Sequence, residues 1–235
     1  MPRWRGRVGV FFLGVALGVV VSAATVAIRR AVSPRQPSSS YVDRLSLFSV
    51  LLPRPGDVVF AGDSLVANGE WAELLEAPCV RNRGVGRETV AGLLRRADAV
   101  AAGSPTAVFL MVGINDFLDG RSAESLEPDY VALLFSLRAG APGTAIVVQS
   151  ILPIGPPMPG EDVRRVNGEV RTLNARLPEL ATRSRARFVD VAAALTAPDG
   201  ALDHRFTSDG IHLNGAGYLR WTEAIRPYVG SGCQR

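Results

Sequence analysis

No lysine occurs among the 235 residues, so all 26 basic side chains are arginine. That absence removes Schiff-base lysines, Ser-Lys dyads and P-loop lysines from the chemistry open to the chain. Cysteine and histidine are nearly as scarce, at two each: Cys79, Cys233, His204 and His212. So few, so dispersed, do not make a zinc framework, and neither a metal nor a cofactor is expected. Acids are missing from residues 1–30, which carry five arginines. The rest of the chain sets 21 arginines against 22 acids, so the formal charge of +4 belongs to the N-terminal segment. A nucleic-acid footprint needs a basic stripe on the folded domain, and this distribution supplies none. Cys79, at the start of an apolar run, reads as a small core residue, although a disulfide with Cys233 is open to a chain outside the cytoplasm.

What is abundant is apolar, and its longest run comes first. Val8–Ile28 is a stretch of 21 uncharged residues. At about 1.5 Å per residue it can span the ~30 Å of a bilayer's hydrocarbon. Arg3, Arg5 and Arg7 precede it, and Arg29 and Arg30 follow. The greater positive charge before the run predicts an N-terminus held inside and a domain sent out. Residues 1–30 are therefore expected to be an uncleaved membrane anchor. Cleavage of a signal peptide near Val21-Ser22-Ala23 or Thr25-Val26-Ala27 is the alternative. Residues 31–40, with Pro34, Pro37 and serines 38, 39 and 40, read as a linker. Residues 41–235 read as the folded domain.

In that domain short apolar runs alternate with longer amphipathic ones. Strands are predicted at Asp57–Ala61, Cys79–Arg83, Thr106–Val112, Thr144–Ile151 and Arg187–Val191. Helices are predicted near Glu70–Glu76 and over Glu88–Ala102, Leu126–Arg138, Asp162–Arg183 and Asn214–Val229, with Pro178 kinking or dividing the fourth and Asn214 capping the last. Alternation of this kind implies an α/β fold, a parallel sheet covered on both faces, with ligands bound beyond the carboxyl ends of its strands.

The chemistry-bearing residues fall at that edge. The first strand runs into Gly62-Asp63-Ser64-Leu65, and the second ends in Asn82-Arg83-Gly84-Val85-Gly86-Arg87-Glu88-Thr89. The third is followed by Gly113-Ile114-Asn115-Asp116, and the fifth leads on to Asp209-Gly210-Ile211-His212. A serine hydroxyl needs an adjacent base to become a nucleophile near neutral pH. His212 stands three residues after Asp209, so one short turn supplies both a base and the acid that orients it. Backbone N–H groups at Ser64 and in the glycine turn, with the Asn115 amide, are candidate donors to a developing oxyanion. No G-x-S-x-G elbow surrounds Ser64, because Val66 stands where its second glycine would be. His204, beside Asp203, reads as a surface residue. Asp63, Asn82 and Asp116 read as supports for their loops.

These four segments, in this order over about residues 57–229, resemble the sequence blocks of the SGNH hydrolases, also called GDSL esterases. Within that family they look like the platelet-activating-factor-acetylhydrolase-like and lysophospholipase-like branch. The resemblance implies a flavodoxin-like three-layer α/β/α fold with a five-stranded parallel sheet. It implies Ser64, Asp209 and His212 as the triad, and Gly86 or Arg87 with Asn115 as substrate and oxyanion donors. It implies hydrolysis of carboxylic esters, acyl groups on a carbohydrate or lipid, through an acyl-enzyme on Ser64. A carbohydrate O-acyltransferase using the same triad and a non-catalytic binding module are the alternatives. The family glycine of the second block aligns with Arg87, so a backbone angle that only glycine adopts freely is in question there.

Overall fold

A computed structural model describes residues 38–230. The expected membrane helix and most of the linker therefore lie outside the described residues. No described helix is long and apolar enough to cross a membrane.

Five parallel strands form one sheet in the order β2-β1-β3-β4-β5. They are β1 Val58–Gly62, β2 Val80–Gly84, β3 Ala107–Met111, β4 Ala145–Gln149 and β5 Arg187–Val189. Val58 pairs with Val80 on one side and Ala107 on the other, Ala107 with Ala145, and Val147 with Arg187. The order is that of a flavodoxin-like doubly wound sheet, which reverses direction beside β1. β1 and β3 are buried along their whole length, as strands covered on both faces must be. The principal connecting helices are α1 Ser39–Val50, α2 Ser64–Ala67, α3 Trp71–Leu74, α4 Val90–Arg95, α5 Ala97–Ala101, α6 Ile114–Leu118, α7 Ala123–Gly140, α8 Gly160–Arg183 and α9 Gly215–Ile225.

An aromatic cluster is built on the middle residues of β1 and β3. Phe60 stacks on Trp71 at 4.5 Å and on Phe109 at 4.7 Å, while Trp221 meets Trp71 edge-on at 4.7 Å. Asn214 caps α9 as its position suggests, its Oδ1 accepting from the Gly217 N–H.

Four expectations are corrected. The helix predicted over Glu88–Ala102 is two helices, because Arg96 between them leaves helical geometry at φ −117°, ψ 15°. Helix α8 runs unbroken through Pro178, held on both sides of it by the buried Leu177 and Leu180. Helix α1 begins at Ser39, inside the stretch read as linker. Cys79 is half-buried and disulfide-bonded rather than a free core thiol.

Two strand ends depend on glycine for space. A Cβ at Gly62 would lie 1.9 Å from the Met111 carbonyl oxygen, and one at Gly84 would lie 2.2 Å from the Ala67 nitrogen. Both obstacles are backbone and cannot swing aside. Gly62→Ala is therefore expected to lower stability by about 3 kcal/mol, the upper range for forced overpacking. A urea midpoint unchanged from wild type would contradict this close approach.

Candidate active site

Ser64 opens the four-residue helix α2 at the end of β1. Asp63 caps it, its Oδ1 accepting from the Leu65 N–H at 3.0 Å. A helix this short leaves carbonyl groups short of partners along the chain, where backbone N–H groups reach only those of Ser64 and Val66. Side chains supply them. Tyr218 Oη donates to the Leu65 carbonyl and Trp71 Nε1 to that of Val66, each at 2.8 Å. Asn82 Nδ2 donates to the carbonyls of Val66, Ala67 and Gly69, while its Oδ1 accepts from Gly84 N–H. Asn82 thus ties the serine turn to the second block.

The structure brings Ser64, His212 and Asp209 together. Ser64 Oγ lies 3.0 Å from His212 Nε2, and His212 Nδ1 lies 2.7 Å from Asp209 Oδ2. Asp209 Oδ1 accepts from the N–H groups of Ile211 at 2.9 Å and His212 at 2.7 Å. Gly210, at φ +82°, closes this turn, and its carbonyl accepts from Gly155 N–H at 2.8 Å. The loop after β4 therefore buttresses the turn that carries the acid and the imidazole. Partial burial draws Asp209 upward. The hydrogen bonds from His212 and the two amides outweigh it and hold the carboxyl down at about 2. His204 stands apart and exposed, 3.6 Å from a buried Asp203 whose carboxylate is engaged by Arg205 at 2.6 Å.

The second block faces the serine from β2. Arg87 sits at φ +62°, in the left-handed region. An arginine therefore adopts a backbone angle that glycine reaches freely. Gly86 and Arg87 are exposed. No hydrogen bond within the protein engages the N–H of Ser64, Gly86 or Arg87 among the described residues. Asn115, at the start of α6, donates through Nδ2 to the Glu88 carbonyl at 2.9 Å. An amide nitrogen carries two hydrogens, so one remains for a ligand.

Glu88 is the residue whose weight sequence reasoning missed. It is fully buried, and its carboxylate accepts from Arg96 Nε at 2.6 Å and from Tyr41 Oη at 2.8 Å. Its carbonyl holds Asn115, so one residue joins α1, Arg96 and Asn115 beside the Gly86-Arg87 turn. Tyr41 has no signature in the sequence that could have pointed to it. A cavity of about 410 Å³ opens beside β5, lined in part by Pro153, Asn174, Phe188 and Asp190, but no triad residue borders it.

Two further carboxyls lie beneath the reactive edge. Burial pushes Asp63 up to about 7, with Glu88 and Asp116 nearby adding to the rise, and its Oδ2 has no partner. Burial likewise raises Asp116 to about 6 against the hydrogen bond from the Val90 N–H. A carboxyl raised on folding favours the fold fully below its unfolded value, and that contribution is lost as pH climbs through the folded one. Asp63 moves from 3.8 to about 7, which corresponds to a loss on the order of 4 kcal/mol across that span. Asp63→Asn keeps the cap and removes the titration. Its denaturation free energy is expected to fall less than wild type between those pH values, and parallel curves would refute the assignment.

The family model for GDSL-like lipase/acylhydrolase proteins matches residues 60–220. No curated protein matches the chain. Among solved structures, one from Streptococcus pneumoniae, described as a candidate platelet activating factor, shares 24% identity at a TM-score of 0.74, covering 89% of this chain and 99% of its own. A candidate acylhydrolase from Bacteroides fragilis shares 22% at 0.68, covering 82% and 97%. A GDSL-like lipase from Bacteroides thetaiotaomicron shares 20% at 0.67, covering 80% and 96%. These likenesses carry the fold. The family match spans most of the domain, from β1 into α9, and the chain belongs to the GDSL-like lipase/acylhydrolase family.

Proposed function

We propose that the domain is a serine esterase acting through an acyl-enzyme on Ser64. The observation that carries this reading is the 3.0 Å approach of Ser64 Oγ to His212 Nε2, with Asp209 Oδ2 at 2.7 Å from the other ring nitrogen. With its Nδ1–H donating to the Asp209 carboxylate, the ring offers Nε2 as base. Ser64 Oγ bonds to the ester carbonyl carbon while its proton passes to His212. The oxyanion is received by the N–H of Ser64, that of Gly86 or Arg87, and the free Asn115 amide hydrogen. The C–O bond to the alcohol then breaks, and His212 returns the proton to the departing oxygen. Water attacks the acyl-serine by the same proton route, releasing the acid and restoring Ser64.

The substrate class is an acyl ester held at a membrane surface, and the domain is extracytoplasmic. The uncharged run Val8–Ile28 and the arginines before it support the anchor. The disulfide at Cys79 supports an oxidising compartment.

Purified protein is expected to react with a fluorophosphonate probe and to hydrolyse soluble acetyl esters. Ser64→Ala and His212→Ala should each remove nearly all of this activity, and the double variant should lose little more, because the two act as one unit. Labelling that persists in Ser64→Ala would place the nucleophile elsewhere. Arg87 separates backbone shape from side chain. Arg87→Gly should hold soluble-ester kcat within a few-fold, since glycine adopts the left-handed angle freely, whereas Arg87→Pro should cost about 10²–10³, the loss of one oxyanion donor. Equal effects from both would remove the turn from the oxyanion site.

A further inference from the structure

Eight large apolar side chains stand exposed among the described residues, and five of them lie in 42–52: Val42, Leu47, Val50, Leu51 and Leu52. Helix α1 sorts them onto one side. Tyr41, Arg44, Leu45 and Phe48 turn toward the domain, with Phe48 buried. At 3.6 residues per turn, Val42, Leu47 and Val50 occupy the opposite arc. Val50 is 74% exposed, and Leu51 and Leu52, each 50% exposed, extend the patch past the helix. A concentration of this kind marks an interaction surface rather than ordinary scatter.

The chain itself indicates what meets it. Ten residues separate Ile28, the end of the uncharged run, from Ser39, the start of α1. Fully extended they reach about 35 Å. A bilayer holding residues 8–28 would keep α1 within that distance of its surface at all times, a high effective concentration for even weak binding. The flanking charge has the matching sign. Residues 29–56 carry Arg29, Arg30, Arg35, Arg44 and Arg54 against one acid, Asp43. Anionic headgroups attract such a segment.

We propose that Val42, Leu47, Val50, Leu51 and Leu52 seat on the surface of the bilayer that anchors the chain, an inference that rests on the anchor reading above. The consequence reaches the site, because α1 is bonded to the second block. Tyr41 Oη donates to Glu88, Arg44 Nε to the Gly84 carbonyl at 3.3 Å, and Arg83 Nη2 to the Leu51 carbonyl. Seating α1 therefore holds the second block, with its exposed Gly86 and Arg87, near the bilayer, where a lipid ester would reside.

The test uses the full chain carrying Trp4→Phe, reconstituted in vesicles of equal parts phosphatidylcholine and phosphatidylglycerol, with and without brominated acyl chains. Trp71 and Trp221, 1% and 0% exposed, give a constant background. Val50→Trp and, independently, Leu51→Trp add a reporter on the patch. Glu179→Trp adds one on α8, which packs on β5 at the other edge of the sheet. Most of the emission added at 50 or 51 is expected to be lost in brominated vesicles, and none of that added at 179. Equal quenching at all three sites, or none at 50 and 51, overturns the proposal. Shielding of 50 and 51 from both bromolipid and aqueous acrylamide also overturns it, because protein then covers the patch, either a second copy or the chain's own N-terminal segment. Failure of the protein to float with the vesicles defeats the anchor reading and this inference together. Fluorophosphonate labelling in the same samples reports Ser64 independently of where α1 lies.

Discussion

The carbonyl oxygens of one short helix hold the site in place. Helix α2 is a single turn, too short to satisfy itself, and it is packed where water cannot finish the task. An unpartnered buried carbonyl costs about 1–3 kcal/mol. Tyr218, Trp71 and Asn82 remove that cost from three different elements. Because Tyr218 lies on α9 directly after the Asp209–His212 turn, the contact that supports the serine from behind also locates the imidazole in front of it. Gly62 and Gly84 let the two strand ends come close enough for this arrangement.

Burial divides the carboxylates of this edge into two kinds. Asp63, Glu88 and Asp116 lie under the reactive turns and act as acceptors for backbone and side-chain donors. Desolvation disfavours charge there, and Asp63 and Asp116 are pushed upward accordingly. Asp209 sits at the surface, accepts from two amides and a ring nitrogen, and is held low. An acid that stays ionised is what a neighbouring imidazole requires when it takes up a proton. The same residue type therefore serves as a strut in one place and as an electrostatic partner in the other.

The legible parts of the chain were those where one force dominates. Strands buried on both faces must be apolar throughout, so β1 and β3 show as uninterrupted runs, within a residue or two of their true ends. Parallel pairing puts all their carboxyl ends on one edge, so Ser64, Asn115 and the Asp209–His212 turn could be grouped before any coordinates. Other features depend on balances that spacing does not record. The break falls at Arg96, whose guanidinium pairs with the buried Glu88, a contact that helical spacing does not encode. The bond at Cys79 depends on what folds against it. Helix α1 carries apolar residues on both sides, Leu45 and Phe48 inward and Val42, Leu47 and Val50 outward, so periodicity read no helix there.

Arg87 shows how far a backbone can be held by its neighbours. A non-glycine residue in the left-handed region is strained by about 1–2 kcal/mol, and such strain persists only where surroundings over-determine it. Here the next residue supplies the constraint. Glu88 is fixed at its carboxylate by Arg96 and Tyr41 and at its carbonyl by Asn115. With Glu88 immobile and Val85 N–H bonded to the Gly62 carbonyl at 3.0 Å, the two residues between have little choice of path. The left-handed angle at 87 is therefore held without needing glycine to do it. That leaves an arginine side chain free at the mouth of the site, a place where the family glycine would offer nothing. The side chain is exposed there, so the backbone of the turn and the charge it carries are set by different things: the path between Val85 and Glu88 by buried bonds, the guanidinium by solvent.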